Sequence, residues 1–318
     1  MNIEEPQQTL RPLLDAAGLR HAPEAVEPLV GQGALNRHWR VVVGGRTLVL
    51  REYHWPFASP APDRARREAR VLTLLETNAV PAPRLVARSD GALLLTFEPG
   101  QLLGELAADP PVDFDRAWEQ TGRALRAVHE IVPPSHLHDL LAGGPQRGPS
   151  SWYERVAAEV DAHLALVRET RPELEVDAGR VRRLFEQARP LLAARPTRLL
   201  HGDAQPWNVL VDHTEGRWVC SALLDWEFAE LGDPIWDLVR FHRLRRRPLG
   251  PSPRAFFTGY GQRGPTAVWT LYELALYLWQ AVDVDAWDES LPSHRLADAY
   301  MAELPTHLAQ LEQALARR

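Results

Sequence analysis

Lysine is absent from this 318-residue chain, and all 36 basic residues are arginine. Wherever the protein sets a cation against a phosphate or a carboxylate, it must therefore use a guanidinium. Cysteine is nearly absent too. The single Cys220 excludes an intrachain disulfide and sits in an apolar run, where it reads as a small buried hydrophobe. No apolar run approaches the length that crosses a bilayer, and residues 1–30, with Glu4, Glu5, Pro6 and Asp15, lack the apolar centre of a signal peptide. These absences predict a soluble, cytoplasmic protein with no membrane partner. A basic excess is missing as well: the formal charge is −6, with 12 Arg against 11 acids in residues 1–100 and 24 against 31 in residues 101–318. Nucleic acid is accordingly not an expected partner. What the chain does have is apolar content, 45%, enough at this length to fill two cores.

The densest chemistry lies between Leu199 and Asp237. Two apolar runs, Val209 to Val211 and Trp218 to Leu224, read as buried strands with an acid or an amide at their ends. His201-Gly202-Asp203 is followed, after four residues, by Asn208. Pro206 forbids a helix directly after the aspartate, so the segment loops and can turn Asp203 and Asn208 toward one small volume. Asp225 follows the next strand. A carboxylate and an amide are hard oxygen ligands, suited to Mg²⁺ held against the phosphates of a nucleotide. A carboxylate outside the metal shell can orient a hydroxyl and take its proton. Together these residues point to phosphoryl transfer. His201 reads either as a metal ligand or, more commonly for a histidine beside such a loop, as a group that satisfies the backbone.

The order His201-Gly202-Asp203, Asn208, Asp225-Trp226-Glu227 keeps the sequence of parts and the first spacing of the protein-kinase pattern. With Gly232-Asp233-Pro234 and Asp237 following, the segment resembles the aminoglycoside phosphotransferase and choline kinase-like family of small-molecule kinases, and the resemblance covers most of the chain. It implies an α+β, protein-kinase-like two-lobed fold. Residues 1–98 form a nucleotide-binding lobe, a small antiparallel β-sheet with one main helix, and residues 99–318 form a mostly helical lobe. It further implies Asp203 as the catalytic residue, Asn208 and Asp225 as Mg²⁺ ligands, ATP or GTP as phosphoryl donor, and a small-molecule hydroxyl as acceptor.

Taken in order, residues 9–18 suggest a helix and 27–30 the start of a strand. The loop Gly31-Gln32-Gly33-Ala34-Leu35-Asn36 follows, then strands from His38 to Val43 and Thr47 to Arg51 joined by Gly44-Gly45, a hairpin signal. Gly31 and Gly33 let the backbone approach a phosphate, and Asn36 stands where kinases have a third glycine. Leu48-Val49-Leu50-Arg51 stands where kinases carry V-A-I-K. Arg51 keeps the charge and adds a planar fork, without being a simple replacement for a point charge. A helix over 63–78 carries Glu68, which by resemblance pairs with that cation, although the five charges between Arg64 and Arg70 also fit a solvated helix face. Strands over 84–88 and 92–97 lead into Glu98-Pro99-Gly100, a hinge. The resemblance puts Phe97, Glu98 and Pro99 beside the nucleotide base.

Beyond the hinge the pattern is helical, over 114–131, 152–168, 177–192, 235–245, 253–259, 266–282 and 295–304, with a last helix opened by Pro305. Residues 133–151 read as a mobile surface loop. Asp237 is expected to anchor the catalytic loop by accepting backbone hydrogen bonds, Asp233-Pro234 to start a helix, and Arg243 to Arg247 to form a solvated helix end. In the resembled family the acceptor lies near the last helices. Here these carry Glu273, Tyr277, Trp279, Asp283, Asp285, Trp287, Asp288 and Glu289, a mixture that suits a cationic amine or a sugar as readily as it suits an ordinary amphipathic helix. Two rivals stand beside the kinase reading: a catalytically weak nucleotide-binding regulator, favoured by Arg51, and a metallohydrolase using His201 and Asp203 with His213 or His242.

Overall fold

Strand alternation builds the N-terminal part of the molecule, in a computed structural model that describes residues 4–29, 36–54, 61–141, 151–243, 252–262, 266–283 and 293–316. β1 (Ala25–Pro28), β2 (Asn36–Val43), β3 (Arg46–Tyr53), β4 (Leu85–Arg88) and β5 (Ala92–Thr96) form an antiparallel sheet in the order β1-β2-β3-β5-β4. Gly44 and Gly45 turn the β2–β3 hairpin with φ of 56° and 72°, the backbone that a tight two-residue turn demands. Both faces of the sheet are covered. Trp39, Val41, Leu48, Leu50 and Leu94 pack on Leu10, Leu13 and Leu14 of α1 (Glu4–Ala16). Tyr53, Leu93 and Leu95 join Ala65, Ala69, Leu72 and Leu75 of α2 (Ala61–Thr77) on the other face. This double burial explains why β5 reads as continuous apolar sequence instead of alternating.

The same alternation decides where the polar side chains of the sheet go. Asn36 pairs with Tyr53 and His38 with Arg51 across the β2–β3 ladder, so all four project from the face that α2 covers.

The rest of the chain is mostly helical. β6 (Gln101–Leu102), β8 (Val209–Thr214) and β9 (Arg217–Leu223) form a three-stranded sheet, and β7 (Arg198–Leu200) pairs with β10 (Glu230–Gly232). Around these lie α3 (Leu103–Leu106), α4 (Asp115–Glu130), α5 (His138–Leu141), α6 (Trp152–Thr170), α7 (Ala178–Gln187), α8 (Arg189–Ala193), α9 (Pro234–Arg243), α10 (Arg254–Tyr260), α11 (Ala267–Asp283) and α12 (Ser293–Ala316). Every residue from Leu271 to Leu278 is buried, because α11 is a central post against α6, α9 and α12. One buried cluster runs from Tyr53 and Leu93 through Leu103 and Trp118 to Leu311, joining the sheet to the helices. Among the described residues no helix is long and apolar enough to cross a membrane.

Several boundaries differ from the sequence expectation. The helix expected over 177–192 is two, α7 and α8, meeting at Ala188. The reverse holds at Pro305, which lies inside α12. Met301, Leu304, Leu308 and Leu311 keep one buried stripe across it, and that packing outweighs the single backbone bond that proline removes. Part of the expected loop is ordered: residues 135–141 are helical and bury Leu137 and Leu141, while 142–150 lie outside the described residues.

Candidate active site

The segment that follows β7 is shaped by one buried acid. Asp237, in the first turn of α9, accepts from the backbone N–H groups of His201 at 2.6 Å and Gly202 at 3.1 Å, and from His129 Nε2 of α4 at 3.1 Å. Burial alone would raise its pKa, and the His129 hydrogen bond and charge outweigh this, so the carboxylate titrates below its usual range. Asp237 thus anchors the loop as expected. Gly202 has φ of 80°, and a Cβ there would meet the carbonyl oxygen of Phe228 at 2.0 Å, so the position between His201 and Asp203 has room for glycine alone. His201 spends both ring nitrogens on backbone. Nε2 donates to the Leu224 oxygen at 2.8 Å, and Nδ1 accepts from Asp203 N–H at 3.3 Å. That is a structural histidine, and among the described residues no group of three His, Cys, Asp or Glu side chains is arranged to hold a metal.

Asp203 and Asn208 do meet. The Asn208 amide donates to Asp203 Oδ2 and to the Asp203 backbone oxygen, both at 2.9 Å, and Gln205 donates to the same Oδ2 at 2.8 Å. The other carboxylate oxygen, Oδ1, lies 3.5 Å from Arg240 Nη2 of α9. Leu224 N–H donates to the Asn208 carbonyl at 2.8 Å, which fixes Asp225 beside the Asn208 loop. Asp225 has φ of 69°, a left-handed backbone that a non-glycine residue holds only where the surroundings impose it.

From the sheet side, Arg51 reaches into this corner. Its Nη2 donates to Asp225 Oδ1 at 2.5 Å and to Glu227 Oε1 at 2.8 Å, and its Nε lies 3.3 Å from Glu68 Oε2. The Glu68 pairing expected from the kinase pattern is therefore present, and α2 does not turn that charge to solvent: Glu68 is 1% exposed and Arg64 0%. Tyr53 donates its hydroxyl to Glu68 Oε2, and Trp226 N–H donates to Glu68 Oε1 at 3.4 Å. Glu227 is the hub. It takes Arg51, Arg64 Nη1 at 2.7 Å and the Asn36 amide at 2.6 Å. Burial and the neighbouring Asp225 charge push its pKa up to about 7. For Arg51, burial works to lower the pKa, but Asp225 and Glu68 outweigh it and keep the guanidinium charged.

Asn36 therefore joins the cluster. Gly31 and Gly33, read as the phosphate loop, lie outside the described residues. At the hinge Phe97 is 40% exposed, Thr96 donates to the Glu98 carboxylate at 2.5 Å, and Ser221 donates to the Pro99 oxygen at 2.7 Å. Of the acceptor-side acids and aromatics, Glu273 and Tyr277 are buried within the helices. Arg243 Nε donates to Glu273 at 2.8 Å, and Tyr277 donates to Glu303 at 3.1 Å. Trp279 backs Arg240, whose Cζ lies 5.2 Å from the ring centroid. Asp285, Trp287, Asp288 and Glu289 lie outside the described residues.

The phosphotransferase enzyme family matches this sequence over residues 27–272, a span that includes every residue of the corner just described. The chain belongs to that family. A phosphotransferase of this kind acts on small-molecule hydroxyls, and the two-lobed α+β, protein-kinase-like fold agrees with it. The fold is similar to that of a choline/ethanolamine kinase family protein from Mesorhizobium loti (20% identity, 99% of this chain and 98% of that one, TM-score 0.64). It is also similar to a streptomycin-ATP-APH(2")-IIa ternary complex (14% identity, 93% and 94% covered, TM-score 0.65) and to a GDP and kanamycin complex of APH(2")-IIIa (18% identity, 95% and 99%, TM-score 0.63). Comparison with curated protein sequences finds no match. Six residues of this phosphotransferase's corner carried no role in the sequence: Tyr53, Arg64, His129, Gln205, Glu227 and Arg240. Two carried a signal, since Arg64 is four residues before Glu68 and Arg240 three after Asp237, each on the same helix face as a residue already singled out.

Proposed function

We propose that this phosphotransferase moves the γ-phosphoryl group of ATP or GTP to a hydroxyl of a small molecule, of aminoglycoside, amino-alcohol or sugar-like type, in a cleft between a nucleotide-binding lobe, residues 1–98, and a helical lobe, residues 99–318. One observation carries the reading: Arg51 of the sheet, held by Glu68, ends 2.5 Å from Asp225, and Asp225 lies beside the loop that joins Asn208 to Asp203. The donor rests on the fold and on the solved relatives of the same fold whose names include ATP and GDP. Nucleoside triphosphates put its place of action in the cytoplasm.

The residues fit a magnesium ion by their chemistry. The Asn208 amide nitrogen is spent on Asp203, which leaves its carbonyl oxygen as the ligand, and Asp225 is an ionised carboxylate, its pKa lowered because Arg51 outweighs the effect of burial. A magnesium ion held there would neutralise charge on the phosphates. The protein's own part is positional. Arg51 lies against the phosphates, Asn36 borders them, and Phe97, Glu98 and Pro99 flank the base. Asp203, its Oδ2 pinned by two amides, receives the hydroxyl proton on Oδ1 as the acceptor oxygen bonds to phosphorus and the bond to the bridging oxygen of the leaving ADP or GDP breaks.

Two variants test the division of roles. Asp203→Asn should lower turnover by about 10²–10⁴-fold while the thermal shift given by ATP and Mg²⁺ survives. Asp225→Asn should abolish most of that shift, because a charged metal ligand contributes to ground-state binding. Equal loss of nucleotide binding in both would remove the assignment.

A further inference from the structure

We propose that Arg240 and Trp279 form an anion subsite for the acceptor, so that the favoured acceptor is a hydroxy compound carrying a carboxylate or phosphate close to the reacting hydroxyl. The inference rests on the phosphotransferase reading of Asp203 and departs from it on the acceptor, selecting an anionic hydroxy compound, a sugar phosphate included, over an aminoglycoside or an amino alcohol. Asp203 spends Oδ2 on Asn208 and Gln205 and turns Oδ1, the oxygen left for a hydroxyl proton, toward Arg240 Nη2 at 3.5 Å. The Arg240 side chain is 13% exposed, with its guanidinium against the Trp279 ring. Its Nε is buried and has no hydrogen-bond partner among the described residues. A planar, partly exposed cation with an aromatic backing, at the wall of the proposed reaction site, matches the geometry of a carboxylate or phosphate.

The charges on the neighbouring helices agree. Of the acceptor-side groups of α11 whose side chains are described, Glu273 is closed on Arg243, and Tyr277 is engaged with Glu303. An ammonium group placed next to Asp203 would face the Arg240 cation, whereas an anion there would be attracted to it. The spacing narrows the class further. With the hydroxyl on Oδ1 and the anion on the guanidinium, each at ordinary hydrogen-bond length, the two groups of the acceptor sit roughly 3–5 Å apart. An α- or β-hydroxy acid, or a hydroxyl one or two carbons from a phosphate ester, spans that distance.

The test uses the full chain, preloaded with a non-hydrolysable ATP analogue and Mg²⁺, and four three-carbon probes titrated by calorimetry: glycerate, glycerol 3-phosphate, glycerol and serinol. The anions should bind at least about tenfold more tightly than glycerol, with serinol weakest. The order of glycerate and glycerol 3-phosphate separates a carboxylate from a phosphate site. Arg240→Leu should erase the anion advantage and Arg240→Lys should keep part of it. The inference is overturned if glycerol or serinol binds as well as either anion, if no probe binds at millimolar concentration, or if Arg240→Leu keeps the anion preference. Should Arg240→Leu fail to fold by circular dichroism, the wild-type ranking and Arg240→Lys still decide. A protein that prefers anions yet shows no thermal shift with ATP and Mg²⁺ would sink the phosphotransferase mechanism and leave the anion subsite standing.

Discussion

On the sheet side of the corner, charge is balanced by charge: Arg51 and Arg64 face Glu68, Glu227 and Asp225, drawn from the sheet, from α2 and from the turn after β9. On the loop side, Asp203 and Asp237 are held chiefly by N–H groups of amides and backbone, with Arg240 and His129 as the only basic partners among the described residues. The two constructions respond differently to damage. A buried ion cluster couples its members, so that removing one leaves like charges facing each other without solvent. A set of hydrogen bonds to backbone loses alignment locally and leaves the remainder in place.

The largest expected effect breaks the ion cluster. Arg51→Ala leaves Glu68, Glu227 and Asp225 without their shared cation and should cost about 3–5 kcal/mol in denaturant unfolding, with turnover reduced by orders of magnitude. Arg51→Lys should recover part of both. Coupling is the sharper test: Arg51→Leu with Glu68→Leu should cost less than the two single changes added, and simple additivity would mean that the cluster is not a unit. Next comes the loop anchor. Asp237→Ala strips the acceptor from two backbone N–H groups and should cost about 2–3 kcal/mol, measured by the same melts, with turnover falling more than nucleotide affinity. A nucleotide affinity that falls as far as turnover would show that the two sides are not separable. The smallest change is Tyr53→Phe, which removes one hydrogen bond to Glu68 and should cost about 1 kcal/mol, with Arg51 still in place.

How much of this was legible in the sequence depends on what holds each part. The loop from His201 to Asn208 could be read because its geometry is short-range: Pro206, Gly202 and the offset from Asp203 to Asn208 act within a few residues. The hairpin at Gly44-Gly45 was readable for the same reason. Glu227 stands in its motif with no role that the sequence shows, since its partners Arg64 and Asn36 are 163 and 191 residues away and only the fold brings them together. The unbroken course of α12 through Pro305 was hidden in the same way, because a local rule was overruled by a buried stripe that packing against α11 and α7 explains. The acidic and aromatic residues of α11 were visible as a composition, but whether Glu273 faces a ligand or Arg243 is a matter of rotation about a helix buried on all sides.

Arg51 in a chain devoid of lysine has a practical consequence for detection. An ATP derivative with an activated acyl group on its terminal phosphate hands that group to an amine held beside it. With the phosphates along Arg51, as proposed, the cation beside them is a guanidinium, which stays protonated and offers no free lone pair. A proteome labelled through such reagents would yield no tagged peptide from this site, however well the protein binds nucleotide. Reagents that join guanidinium groups, or photochemical tags on the base, are the ones that would report it.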